Sequence, residues 1–334
     1  MSFSAQTSPA DSPSHFQYSR VCSHRFSRRT LLKGVGGLAA ASVIGGGAVV
    51  AGSAPAQAAV TVAEHEDHGR MQYYKLATSS VGWLPRVNVL LPDGYDASHR
   101  YPVLFLLHGG GENYSTFDTK YDIRNHTAGR DLIVVMPDGG AAGWYCDPES
   151  SNVGPRNWET FHIKELLPWV DATFATTGQA SGRAVSGFSM GGFGALKYAA
   201  KYPELFASVS SHSGPADLRI QDGAVVHWAN FTAGATDLKG GTIYGIPWDQ
   251  ARVSADNPVE HVESYRGKRI FLVSGTESDR YESVVLPSQQ SFGKALDGAG
   301  IGYERYEDTG AHIVRWGRIQ QDIDSLLNHF AKTG

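Results

Sequence analysis

The sequence predicts an α/β fold: a mostly parallel, doubly wound sheet with helices on both faces. Three observations predict it. Short apolar runs recur at residues 102–107 and 132–136 and, after Arg269, at 270–273, as strands buried on both faces do. Helix-period segments alternate with them, which is the pattern of crossover connections in a parallel sheet. Gly-rich and polar clusters follow the runs, at residues 108–111, 137–140 and 274–280. Open α/β sheets hold their ligands at those carboxyl ends.

In chain order, residues 1–58 read as a targeting signal. Ser27-Arg28-Arg29-Thr30-Leu31-Leu32-Lys33 is a twin-arginine motif ahead of the Gly- and Ala-rich apolar stretch 34–52. Ala54-Pro55-Ala56-Gln57-Ala58 then offers small-residue cleavage sites, so the expectation is cleavage after Ala58 and export of a folded, secreted protein. Residues 59–334 form one α/β domain. Within it, 59–70 read as a polar leader, and His65-Glu66-Asp67-His68 as a solvated tail rather than a metal site. Residues 73–77 and 86–91 are β-rich and joined by a turn at 79–85, an antiparallel edge. The buried strands 102–107 and 132–136 follow. Residues 161–174 carry Ile163, Leu166, Leu167 and Val170 at helical spacing. Further strands are expected at 205–211, 269–273 and 302–306, with helices at 288–296 and 316–330. Between about 215 and 267 the alternation breaks down, with a weak helix near 248–253. That stretch reads as an insertion over the site.

Charge and cysteine narrow the function. The chain has 29 basic and 33 acidic residues, a net charge of −4. The first 58 residues hold Arg20, Arg25, Arg28, Arg29 and Lys33 against Asp11, so the remainder is more acidic still. That argues against nucleic acid as a partner. No apolar run beyond the signal is long enough for a membrane span, so no permanent span is expected after cleavage. Cys22 departs with the signal and leaves Cys146 alone, so no intrachain disulfide is expected in the mature chain.

The chemistry centres on Gly187-Phe188-Ser189-Met190-Gly191. Gly-x-Ser-x-Gly between a strand and a helix is the nucleophile elbow of the α/β-hydrolase fold. The sharp turn lifts the serine hydroxyl above the sheet edge and needs residues without bulk beside it. Ser189 is thus the candidate nucleophile, and the Met190 N–H, at a helix start, a candidate oxyanion donor. In this fold the acid and the histidine follow the serine. Of the later histidines, His312 sits in a loop between the last strand and the last helix, where a general base belongs. His212 directly follows the strand expected at 205–211 and reads as structural, His227 and His261 lie in or beside the insertion, and His329 falls in the last helix. The acid belongs in the loop after 269–273, where Asp279 is preferred and Glu277 is the alternative. The second oxyanion donor belongs to His108-Gly109-Gly110-Gly111, with Gly110 preferred over its two neighbours. An acyl-enzyme route of this kind calls for no metal or cofactor.

These stretches also resemble the Putative esterase (esterase D-like) family, which is related to the secreted mycolyltransferases of the antigen 85 complex. The resemblance rests on Tyr101-Pro102-Val103 through His108-Gly109-Gly110, Met136-Pro137-Asp138-Gly139-Gly140, Trp144-Tyr145 and Trp158-Glu159-Thr160-Phe161. It continues through Gly187–Gly192, Gly310-Ala311-His312 and Trp316-Gly317. It implies Ser189 and His312 as catalytic, Met190 and Gly110 as oxyanion donors, and the acid at Asp279, with Glu277 still open. The mycolyltransferases carry Asp and then Arg where this chain has His108 and Glu112, which counts against trehalose-mycolate transfer. His108, Glu112, Trp144 and Trp316 are candidate substrate-binding residues. The expected function is a secreted serine esterase acting on small-molecule, lipid or glycan esters. An acyltransferase of the mycolyltransferase or diacylglycerol acyltransferase type is the alternative. A peptidase or a non-catalytic binding protein on the same fold is a more distant reading.

Overall fold

The computed structural model describes residues 60–333, so the expected targeting segment lies outside the described residues. Nine strands form one sheet: β1 (Thr61–His68), β2 (Met71–Ala77), β3 (Arg86–Leu90), β4 (Val103–Leu107), β5 (Ile133–Pro137), β6 (Arg183–Phe188), β7 (Ser208–His212), β8 (Arg269–Gly275) and β9 (Glu304–Asp308). Their order is β1-β2-β3-β5-β4-β6-β7-β8-β9. The first three are antiparallel to their neighbours, and from β5 to β9 every pair is parallel. The doubly wound sheet with an antiparallel edge is therefore the one expected.

The helices are α1 (Thr116–Thr119), α2 (Ile123–His126), α3 (Trp158–Thr160), α4 (Leu167–Thr173), α5 (Met190–Lys201), α6 (Ile220–Ala235), α7 (Gln250–Asp256), α8 (Glu282–Gly298) and α9 (Trp316–Thr333). Alternating residues of each buried strand feed opposite faces of the sheet. Val103, Phe105 and Leu107 pack into one core with Phe193 and Leu196 of α5. Leu104 and Leu106 pack into the other, with Ile319, Ile323, Leu326 and Phe330 of α9. Those four recur at helical spacing and form the apolar stripe of α9. Among the described residues no helix is long and apolar enough to cross a membrane.

Several elements differ from expectation, among them α8, which begins at Glu282 rather than near 288. Residues 61–68 are a strand rather than a polar leader, paired antiparallel with β2 and exposed throughout. An edge strand with both faces in water shows no hydrophobic period, and its polar sequence conceals it. The expected helix 161–174 is built as α3, a π-helical stretch Phe161–Leu166, and α4. Pro168 cannot donate to the ladder and its ring crowds the preceding turn, which a wide turn accommodates. Inside the insertion, α6 was not foreseen. Its Gly, Thr and Asn residues are weak helix formers, and its first turn is interrupted by left-handed Gln221, Asp222 and Gly223. The weak helix near 248–253 is present as α7, opened by Asp249, whose carboxylate accepts from the Ala251 and Arg252 N–H groups.

Candidate active site

Ser189 occupies the turn between β6 and α5 with φ 54° and ψ −117°, a backbone region that costs a non-Gly residue of order 1–3 kcal/mol. The turn is held from both sides. Ser189 N–H donates to the His212 carbonyl at 2.8 Å, and the Ser189 carbonyl accepts from Phe193 N–H at 3.0 Å. A Cβ at Gly191 would run into the Leu107 carbonyl, and one at Gly187 into the Gly191 backbone. Both motif glycines are thus required by the close passage of the helix over the strand ends.

His312 Nε2 lies 2.8 Å from Ser189 Oγ. Its ring is flanked by Phe188 and Tyr281, each with its centroid 5.0 Å away. The carboxylate facing the other ring nitrogen is Glu282, with Oε1 3.2 Å from His312 Nδ1. The same oxygen accepts from Ser213 Oγ at 2.6 Å, and the Glu282 side chain is fully buried. This network assigns the proton to Nδ1, leaving Nε2 to accept from the serine.

The carboxylate beside the His312 ring is not the expected Asp279. Asp279 Oδ1 accepts from the N–H groups of Tyr281 (2.8 Å) and Glu282 (2.7 Å). Its Oδ2 accepts from the backbone N–H of His312 at 2.8 Å. Asp279 therefore holds the His312 backbone and the entry to α8, not the imidazole. Burial pushes its pKa up, but the N–H bonds from Glu282, His312 and Tyr281 outweigh this and hold it below its usual value. Glu277 is exposed and its backbone N–H donates to Gly310; no hydrogen bond joins its side chain to His312 among the described residues.

The Gly-rich loop after β4 leaves one amide available. Gly109 N–H donates to Glu112 Oε2 at 3.0 Å, and Gly111 N–H to the Ala141 carbonyl at 2.7 Å. Gly110 N–H has no partner among the described residues, and neither does Met190 N–H at the head of the 12-residue α5. Both residues line the same cleft as Ser189. Glu112 braces this loop and is itself held, with Oε1 accepting from Tyr121 OH at 2.7 Å and Lys120 Nζ at 3.2 Å. Burial pushes the Tyr121 phenol up to about 12; Lys120 lowers it and Glu112 raises it.

The cleft measures about 560 Å³. Its walls include Trp144, Phe188, Trp228 and Tyr281, the last two stacked with centroids 5.1 Å apart. Trp228 and Thr232 of α6, with Thr236 just past its end, form the side built by the insertion. Of the four candidate substrate-binding residues, Glu112 and Trp144 line the cleft, and His108 and Trp316 do not. His108 is 1% exposed. Its Nε2 accepts from Gly139 N–H at 2.9 Å and its Nδ1 donates to the Gly109 carbonyl at 2.8 Å, so both nitrogens serve loop architecture. Trp316 stacks on His126 and meets Tyr121 edge-on, behind the rim. His212, behind the nucleophile, pairs with Asp322 at 2.9 Å.

Trp144 reaches the cleft from an unusual turn, for it and Tyr145 both have positive φ, 51° and 55°. The Tyr145 carbonyl accepts from Lys197 Nζ at 2.7 Å and Tyr198 OH at 3.0 Å. Lys197 is wholly buried and pairs with Glu159 at 2.6 Å. Cys146 lies in the same cluster. Burial pushes its thiol up to about 12, so it stays protonated and is no nucleophile.

Comparisons with known proteins bear on the family and the fold. A family model described as "Putative esterase" matches residues 78–312. Esterase Rv1288 of Mycobacterium tuberculosis is 57% identical over 277 residues, covering 80% of this chain and 60% of the relative; the chain thus spans about 60% of that protein's length. The MPT51/MPB51 antigen of the same species is 26% identical across 68% of this chain and 78% of the antigen. Among solved structures, an S-formylglutathione hydrolase from Agrobacterium tumefaciens superimposes with a TM-score of 0.64 at 20% identity, over 82% of this chain and 99% of its own. The Mycobacterium tuberculosis MPT51 structure gives 0.63 at 21%, over 81% and 99%. At such identities the structural likeness concerns the fold, which is that of the α/β-hydrolases.

Proposed function

The chain belongs to the esterase family whose model it matches, and from that premise we propose that it is a secreted serine esterase. It would cleave carboxylic acyl or aryl esters through an acyl-enzyme on Ser189. The observation that carries the reading is the unbroken relay from Ser189 Oγ to His312 Nε2 at 2.8 Å and from His312 Nδ1 to Glu282 at 3.2 Å.

In the mechanism, Ser189 Oγ attacks the ester carbonyl while His312 Nε2 takes its proton. The buried Glu282 carboxylate stabilises the imidazolium and fixes its tautomer. Met190 and Gly110 N–H groups receive the developing oxyanion, each such donor contributing about 2.7–4 kcal/mol to the transition state. His312 returns the proton to the departing alcohol, and a water activated by the same imidazole releases the acid. Asp279 keeps the His312 backbone in register with the elbow. None of these steps calls for a metal or cofactor. Export by the twin-arginine route is proposed from the sequence of residues 27–58.

A transferase reading uses the same acyl-enzyme with an alcohol in place of water. The aromatic walls Trp144, Trp228 and Tyr281 favour it, since they limit how much water surrounds the acyl group. The test is hydrolysis of p-nitrophenyl acetate, butyrate and palmitate by the protein and by Ser189→Ala, with an acceptor alcohol added in a second series. Turnover that is lost in Ser189→Ala supports the esterase, and ester product rising with the alcohol supports transfer. No turnover, with Ser189 also unlabelled by a fluorophosphonate, would sink both.

A further inference from the structure

The charge inside the cleft is unbalanced. Its charged lining, apart from His312, consists of Glu112, Lys120 and Arg280. Glu112 is engaged by Lys120, Tyr121 and the Gly109 N–H, so the first two charges cancel. Arg280 makes no ion pair or side-chain hydrogen bond among the described residues. The acids nearest in sequence do not neutralise it. Asp279 is committed to three backbone N–H groups, Glu282 is fully buried against His312 and Ser213, and Glu277 does not line the cleft.

Arg280 is also placed. Its guanidinium carbon lies 4.7 Å from the Tyr281 ring centroid. That ring in turn lies 5.0 Å from His312 and stacks on Trp228. The cation therefore stands one aromatic ring out from the reacting imidazole, resting on a face that limits its rotamers. A planar guanidinium with unused donors matches carboxylate, sulfate and phosphate oxygens in pairs.

We propose that Arg280 is a specificity residue, and that the preferred esters of this cleft carry an anionic group about one ring's length from the scissile carbonyl. The inference rests on the esterase reading and deepens it. The anion can belong to the acyl group or to the leaving alcohol, and the assay separates the two. On the alcohol side, 4-acetoxybenzoate is compared with its methyl ester. On the acyl side, mono-4-nitrophenyl succinate is compared with 4-nitrophenyl butyrate. The readout is the ratio of kcat/KM for the anionic to the neutral member, in the unsubstituted protein, Arg280→Gln and Arg280→Glu. Intrinsic reactivity cancels when these ratios are compared between proteins.

The ratio is expected to fall roughly tenfold in Arg280→Gln in one of the two arms, equivalent to about 1.4 kcal/mol, and further in Arg280→Glu. The fall should shrink in high salt, because the site is open to solvent. A second measurement does not depend on turnover: 4-acetoxybenzoate and the succinate monoester are each titrated by calorimetry into Ser189→Ala with and without Arg280→Glu. A tenfold weaker Kd for either ligand with the charge reversed supports the inference even if catalysis fails. Ratios unchanged within twofold in both arms, or equal affinities for both ligands, would overturn it.

Discussion

Replacing Glu282 by Gln tests the relay most directly. The substitution keeps shape and volume and removes a charge from a fully buried site. Glu282 Oε1 accepts from Ser213 Oγ at 2.6 Å and faces His312 Nδ1 at 3.2 Å. As His312 gains the Ser189 proton, Glu282 is the carboxylate that meets the new charge. An amide there provides no countercharge. If its NH₂ faces Nδ1, it also selects the wrong tautomer and places the proton on Nε2. Neutralising the acid of a serine-protease triad costs about 10⁴ in kcat, and a loss of roughly 10³ or more is expected here, about 4 kcal/mol in the barrier. Asp279→Asn makes the contrast. It weakens three hydrogen bonds to backbone N–H groups, so about 1–3 kcal/mol of stability is expected to go, with kcat reduced far less than in Glu282→Gln. Steady-state kinetics on p-nitrophenyl acetate, beside urea melts of each variant, separate the two roles. A Glu282→Gln protein within tenfold of the original kcat, beside an inactive but folded Asp279→Asn, would refute the assignment.

Two further predictions concern the scaffold. Lys197→Met should cost about 3–5 kcal/mol in urea unfolding, because it leaves Glu159 and Asp256 buried with Lys201 as their remaining cation; a loss below about 1 kcal/mol would show the cluster to be dispensable. Acid should weaken the fold in two stages. Burial holds the His162 pKa down at about 4 against an ordinary 6.5. Between those values the unfolded chain binds a proton that the folded chain refuses, so stability falls with pH across that window by about 3 kcal/mol. The fully buried Asp322 is pushed up by desolvation, but Arg269, His212 and Ser210 outweigh this and hold it near 2 rather than 3.8. Its contribution, about 2 kcal/mol, is present above the unfolded value and is lost between about pH 4 and 2. Calorimetric Tm values from pH 7 to 4, with His162→Gln flattening the slope, check the first stage, and a Tm independent of pH across that range would contradict it.

What could be read from the sequence follows the depth of each element. β4, β5 and β8 are buried on both faces, so unbroken apolar runs mark them wherever they occur. The elbow was legible because the backbone at Ser189 admits few residue types around it, and the glycines at 187 and 191 are demanded by backbone contacts rather than by taste for a turn. β1 left no signal, since every one of its residues is exposed and its place comes from pairing with β2. α6 was hidden for a different reason. Its core face is carried by the small residues Val225, Val226, Ala229 and Ala233, its Trp228 and Thr232 line the cleft, and the left-handed turn at 221–223 breaks its start. His108 and Trp316 are expected at the substrate because they lie in stretches that carry the family resemblance. Adjacency along the chain does not say which way a side chain turns, and theirs serve the loop and the rim.

The acid shows where local reasoning misleads even with the right loop in hand. An Asp between a strand and a helix looks like the partner of a nearby histidine. It is also the residue type preferred for capping a helix, whose first N–H groups need an acceptor. Asp279-Arg280-Tyr281-Glu282 has the capping-box spacing of an acceptor followed three residues later by Glu. In the structure Asp279 does accept from the Glu282 N–H. Helix α8 begins at Glu282 rather than near 288, with Asp279 Oδ1 taking the Tyr281 and Glu282 N–H groups ahead of it and Oδ2 taking the His312 N–H. Glu282 then falls in the first turn, where the helix dipole favours a carboxylate. Its longer side chain reaches from there to Ser213 and His312. The two acids divide the work by length, the short one closing backbone amides and the long one reaching the ring.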